Sequence, residues 1–204
     1  MNSLFSECYS LTQLPDISNW QTDNVNDINS MFCGCSKLIK LPDISKWDIN
    51  KVNNISHLFD GCSSLTNMPD ISNWETRNIK DMSYTFCDCS SLLELPDIRK
   101  WNTEKVTTIE CLFECCSSLL FIPDISRWKI NPNIKSFSVY SPSLPESSKN
   151  NINEILSSDT NSFRSKNKEN EAASQGIKSI STFNDLDFNI FYESKEDGDL
   201  YENL

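Results

Sequence analysis

Phe59-Asp60-Gly61-Cys62-Ser63-Ser64-Leu65-Thr66-Asn67-Met68-Pro69-Asp70-Ile71-Ser72-Asn73-Trp74 is one of five near-copies of a single unit. Its Cys recurs as Cys8, Cys35, Cys62, Cys89 and Cys116. Its Pro-Asp pair begins at Pro15, Pro42, Pro69, Pro96 and Pro123, and its Trp recurs as Trp20, Trp47, Trp74, Trp101 and Trp128. Every step is 27 residues, without insertion. A fixed period of this size marks a solenoid, in which no unit buries its apolar face alone and stacking does it instead.

Between the copies runs a looser segment, first seen as Asn24-Val25-Asn26-Asp27-Ile28-Asn29-Ser30-Met31-Phe32. Val25, Ile28, Met31 and Phe32 sit at i, i+3, i+6 and i+7, which predicts one face of a short helix. Asn24 and Asn78 stand where N-caps belong. In the other half, Leu65, Met68 and Ile71 are spaced by three, and Pro69 excludes a helix interior and removes a ladder donor. A short strand is expected just before the Pro, then a turn running to the Trp. The expected fold class is therefore α/β: a solenoid with one short parallel strand and one short helix per repeat, strands about 4.8 Å apart.

The solenoid is expected over residues 1–140. Met1 aligns with Ile28, so the array begins inside a helical half-repeat and reads as N-terminally incomplete. After Trp128 comes one extra residue and Pro132, and Ile134, Phe137, Val139 and Tyr140 read as a C-terminal cap. From Ser141 the composition turns to Ser, Asn, Lys and Glu, which cannot offset chain entropy by burial, so 141–204 is expected to be a disordered acidic tail. Within it, Phe183, Leu186, Phe188, Ile190, Phe191 and Tyr192 alternate with acids as a candidate docking motif. The alternative is an unstructured tail that aids solubility.

The unit Phe-x-x-Cys-Ser-x-Leu-x-x-Leu-Pro-Asp-Ile-Ser-x-Trp, followed by Val-x-x-Ile-Ser-x-x-Phe, resembles the BspA-like leucine-rich repeats. The resemblance covers residues 1 to about 140 and matches several positions in each of five copies. It implies a leucine-rich-repeat solenoid and a role in binding other molecules, often at cell surfaces.

The totals exclude several classes. A net charge of -11 argues against nucleic acid and against an anionic membrane surface. The longest apolar run, Leu119 to Ile122, is far short of the ~20 residues of a spanning helix. The N-terminus has neither a basic start nor an apolar stretch, so no secretory signal is read there, and a cytoplasmic location is expected for the chain as given. A cell-surface location is expected if an upstream segment is missing. Without export, the nine cysteines are expected to be reduced.

Three ladders invite a chemical reading. The cysteines lack CxxC spacing, and buried Cys behaves as a small hydrophobe, so no metal site is expected. Asp16, Asp43, Asp70, Asp97 and Asp124 form a row of carboxylates that suits calcium or, more simply, fixes a turn by accepting a nearby N–H. The Trp row suits a binding ridge or packing between coils. Catalysis has little support: His57 is the only histidine, there are four glycines, and no phosphate-cradling motif is present. No cofactor is expected.

The positions that vary between copies remain. They are Thr12/Gln13, Ile39/Lys40, Thr66/Asn67, Leu93/Glu94 and Leu120/Phe121. They make a candidate binding face: Gln13, Ile39, Lys40, Thr66, Asn67, Leu93, Glu94, Leu120 and Phe121. The expected function is a non-enzymatic module that binds a protein partner, with a surface or adhesin-type structural protein as the alternative.

Overall fold

A computed structural model describes residues 1–123, 125, 127–129 and 131, and the backbone of 136–137. The cap residues Ile134, Val139 and Tyr140, the tail 141–204 and its docking motif lie outside the described residues.

Asp27 begins the first complete looser segment. Its Oδ1 accepts the Asn29 N–H at 2.8 Å. From there the backbone donors alternate between two destinations. The N–H groups of Ile28, Ser30, Phe32 and Gly34 reach the next coil, at the carbonyls of Asn54, Ser56, Leu58 and Asp60 (3.3, 2.9, 3.0 and 2.7 Å). Those of Met31, Cys33 and Cys35 turn back three residues, onto Ile28, Ser30 and Phe32. The pattern repeats from Ile55, His57, Phe59 and Gly61 to Asp81, Ser83, Thr85 and Cys87, and from Met82, Tyr84, Phe86 and Asp88 to Thr108, Glu110, Leu112 and Glu114. The donors of this half-coil are thus satisfied, half locally and half between coils.

This arrangement corrects the expected helix. Among the described residues there is no α-helix, and the one helical element is the 3-10 turn Ile98–Lys100. The reason lies in two left-handed positions per coil. One is the series Ser3, Ser30, His57, Tyr84 and Cys111, with φ of 53, 53, 54, 57 and 47°. The other is Glu7, Gly34, Gly61, Asp88 and Cys115, with φ of 60, 73, 71, 56 and 58°. A left-handed residue breaks the run of right-handed φ that i→i−4 bonding needs. Turns of three residues place apolar side chains at i, i+3 and i+6 as a helix does. Asn24 and Asn78 are not caps either. Their side-chain oxygens accept from Lys51 and Lys105 in the next coil, at 2.9 and 2.7 Å.

The expected strands shrink to single bridges. Asp27, Asn54, Asp81 and Thr108 are bridged in parallel, and so are Lys40 and Asn67 just before their Leu-Pro and Met-Pro pairs. Among the described residues, only the last coil extends the pairing: β1 (Thr108–Ile109) lies parallel to β2 (Ser136–Phe137), Thr108 opposite Ser136 and Ile109 opposite Phe137. The step from 108 to 136 is one residue longer than the repeat, as the extra residue after Trp128 requires.

Side-chain ladders of Phe, Trp, Cys, Leu and Ile fill the interior. Phe5, Phe32, Phe59, Phe86 and Phe113 stack with ring centroids 5.7–5.8 Å apart, and the last four are fully buried. Each buried Phe contributes about 1.5–3 kcal/mol. Trp47, Trp74, Trp101 and Trp128 are buried and donate Nε1–H to the carbonyls of Ile17, Ile44, Ile71 and Ile98 at 3.0, 3.1, 3.1 and 3.0 Å. The thiols of Cys35, Cys62, Cys89 and Cys116 donate to the carbonyls of Phe5, Phe32, Phe59 and Phe86 at 3.2, 3.2, 3.2 and 2.9 Å. Each coil is therefore tied to the one before it by backbone, indole and thiol together. No helix of the described residues is long and apolar enough to cross a membrane.

Candidate interaction face

The face is built one row per coil. The Cys and the Leu three residues after it are buried, as Cys62 and Leu65 are. The next two residues then project outward before the chain dives again at Leu41 or Leu95. A backbone bond holds each row over the one before: Ile39 N–H to Thr12 (3.5 Å), Thr66 to Ile39 (3.3 Å), Leu93 to Thr66 (3.3 Å) and Leu120 to Leu93 (3.1 Å). The nine candidate residues, together with Thr12, therefore fall into two adjacent columns. One runs Thr12, Ile39, Thr66, Leu93, Leu120, and the other runs Gln13, Lys40, Asn67, Glu94, Phe121.

All are exposed apart from Thr66, which is half-buried. The apolar members stand far out of the surface, with Ile39 at 55%, Leu93 at 44%, Leu120 at 64% and Phe121 at 49% of full exposure. With Leu4 and Tyr9, they are the large apolar side chains that the described residues leave open to water. The same backbone bonds that align the first column use its amides along the stack. The first column presents side chains to solvent, not a free strand edge.

The other ladders have their chemistry taken up by the stack. Asp16, Asp43 and Asp70 each accept the N–H of the Ser two residues on, at 2.9, 2.9 and 3.0 Å. The Ser hydroxyl and then its N–H hold each carboxyl below its ordinary range. Asp97 accepts from the Arg99 side chain and N–H, which bring it down to about 2. Asp124 lies outside the described residues. The buried indoles present no ridge to solvent. Burial pushes the Cys35 thiol up to about 11 and Cys116 to about 12, and raises Cys62 and Cys89 as well. The flanking Cys33, Cys87, Cys111 and Cys115 are raised too, by burial first and neighbouring carboxylates second, or at Cys111 a Glu114 hydrogen bond. The thiolate is the nucleophile, so burial lowers the reactivity of these thiols at neutral pH. Among the described residues, no group of three or more His, Cys, Asp or Glu is placed to hold a metal ion.

One feature of the outer surface was not legible in the sequence. His57 and Tyr84 share a left-handed column, and their rings stack 4.6 Å apart. His57 Nδ1 lies 2.8 Å from Asp60 Oδ2. Only the one-repeat spacing pointed to the pair, and sequence alone gave no sign of the backbone that turns both rings outward.

Comparison with known proteins gives three results. No curated protein matches the chain. Among solved structures, it is similar to the crystal structure of a T. pallidum leucine rich repeat protein, TpLRR, at 18% identity and a TM-score of 0.38, over 76% of this chain and 74% of that one. The profile of a family described as "Mycoplasma protein of unknown function, DUF285" matches residues 1–42 and 39–154. The chain belongs to that DUF285 family.

Proposed function

We propose that the repeat region is a non-enzymatic interaction module that binds a protein partner through the two outward columns. The observation that carries this reading is the row of Ile39, Leu93, Leu120 and Phe121, held in register and open to water. Each such side chain contributes on the order of 1.5–3 kcal/mol when a partner covers it. Constant residues with chemical potential are already used: thiols, indoles and carboxylates serve the coils and their turns. The residues that change from coil to coil are the ones facing outward, and that is where a repeat protein varies its specificity.

The test is a quantitative pull-down from the native cell extract. The bait is the full chain, compared with a variant carrying Ile39→Ser, Leu93→Ser, Leu120→Ser and Phe121→Ser. Specific capture should disappear in the variant while its thermal unfolding stays unchanged. Capture at the original level by the folded variant would overturn the proposal. A second bait ending at residue 140 separates the columns from the tail motif at 183–192.

A further inference from the structure

The two columns are palindromic about their middle row. Read along the stack, the first runs Ile39, Thr66, Leu93 and the second runs Lys40, Asn67, Glu94. Reversing the order exchanges apolar for apolar, cation for anion, and leaves the middle polar row on itself. We infer that this face pairs with a second copy of the same chain, the two stacks lying antiparallel and face to face. The inference rests on the face being a protein-binding surface and names the partner.

The geometry follows from one symmetry operation. A two-fold axis in the plane of contact, along the third coil through Thr66 and Asn67, reverses the stacking direction and keeps the columns in place. Ile39 then meets Leu93 of the other copy, and Leu93 meets its Ile39. Lys40 meets Glu94, and Glu94 meets Lys40. Asn67 meets Asn67, where an amide both donates and accepts. The outer rows extend the match: Leu120 covers Thr12 and Phe121 covers Gln13. A two-fold interface uses the same patch on both partners, so residue i contacts j and j contacts i. Lys40 and Glu94 stand two coils apart, about 10 Å at the spacing of parallel chains, so both ion pairs form at once. Exchanging the charges for like signs would put two repulsive contacts into one small interface.

The area is modest. Five rows at about 4.8 Å span roughly 20–25 Å, which places the contact among small, reversible interfaces. The amides of its first column are already used along the stack, so the contact is made by side chains.

The experiment is sedimentation equilibrium of the full chain from micromolar to about millimolar concentration. The average mass should rise from 23.4 kDa towards twice that value. Lys40→Glu and Glu94→Lys each place like charges opposite one another twice, and each should weaken association at least ten-fold. The double variant Lys40→Glu/Glu94→Lys restores both pairs and should associate as the original does. An equimolar mixture of the two single variants should form the mixed dimer that neither forms alone. Both side chains are exposed, and circular dichroism confirms that the variants stay folded. A chain that stays monomeric throughout overturns the inference, as does association unmoved by either charge reversal or a double variant that stays weak. The pull-down is read separately, so a monomeric chain whose serine variant loses a captured partner leaves the interaction face standing and removes only self-pairing.

Discussion

Thr22 and Thr76 occupy the same position in the first and third coils, and the same substitution should move stability in opposite directions. Thr76 is 1% exposed. Its Oγ1 donates to the Asn102 carbonyl at 3.1 Å and accepts the Asn102 N–H at 2.7 Å. Thr22 is 3% exposed, and its Oγ1 has no partner. Between them in the column stands Ile49, which is fully apolar and buried, so the site takes a branched hydrocarbon without strain. Valine has the shape of threonine and lacks the hydroxyl. In Thr76→Val, both Asn102 groups lose their partner. Asn102 is itself exposed, so water recovers part of the loss and a net cost of about 1–3 kcal/mol is expected. In Thr22→Val, a buried unpaired hydroxyl is removed, with a gain of about 1 kcal/mol. The assay is urea unfolding followed by tryptophan fluorescence, with each midpoint compared at constant slope. In thermal unfolding the shifts are about 2–4 °C per kcal/mol for a chain of this size, upward for Thr22→Val and downward for Thr76→Val. Two upward shifts would show that the hydroxyl at Thr76 does not carry the bond between coils, and two downward shifts would show that the Thr22 hydroxyl is not an unpaired buried group.

Other predictions concern the turns and the thiols. Gly34→Ala should cost about 1–2 kcal/mol for a left-handed alanine, and more because its Cβ would come 3.2 Å from Tyr9 Cε1 and 3.3 Å from Glu7 Cα. Gly61→Ala carries the same backbone cost with room at 3.5 Å, so a larger loss at Gly61 than at Gly34 by urea midpoint would refute the geometry. Asp16, Asp43, Asp70 and Asp97 titrate below their ordinary range when folded, so their stabilisation is present above about pH 4 and lost as pH falls through the folded values. The unfolding midpoint should therefore fall between pH 4 and 2. Asp97→Asn, which keeps an acceptor for Arg99, should flatten part of that fall, and an unchanged slope would count against the carboxylate. Under a thiol-reactive dye at neutral pH, exposed Cys115 should be modified first. Cys35, Cys62, Cys89 and Cys116 should react only on unfolding, and their modification in the folded chain, mapped by mass spectrometry, would contradict the buried ladder.

The period and the interior were legible because each interior position is filled by one residue type in nearly every copy. Phe, Cys, Leu, Ile and Trp recur at 27 residues and fill the columns found in the structure. The Asp turn was legible from its chemistry, since an Asp two residues before a Ser fixes a turn by accepting its N–H. The local backbone of the looser half was not. Apolar residues at i, i+3, i+6 and i+7 suit a helix, and they suit equally a chain that turns every three residues. The distinguishing signal would be glycine at the left-handed positions, and it appears only at Gly34 and Gly61. Ser30, His57, Tyr84 and Asp88 take the same backbone without announcing it, because bonds to the neighbouring coil hold them there. The outward columns were legible for the opposite reason: they are where the copies disagree. Their palindrome needs the register between coils, which the inter-coil hydrogen bonds supply.

The most direct test of the coil stack is scalar coupling across hydrogen bonds, measured by NMR on the isotope-labelled chain. The N–H groups of His57 and Phe59 should couple to the carbonyls of Ser83 and Thr85, 26 residues away, across 2.8 and 3.0 Å. Coupling of Phe59 to the carbonyl of Ile55, four residues back, would mean a helix in place of the turns and would contradict the fold from which both outward columns are read.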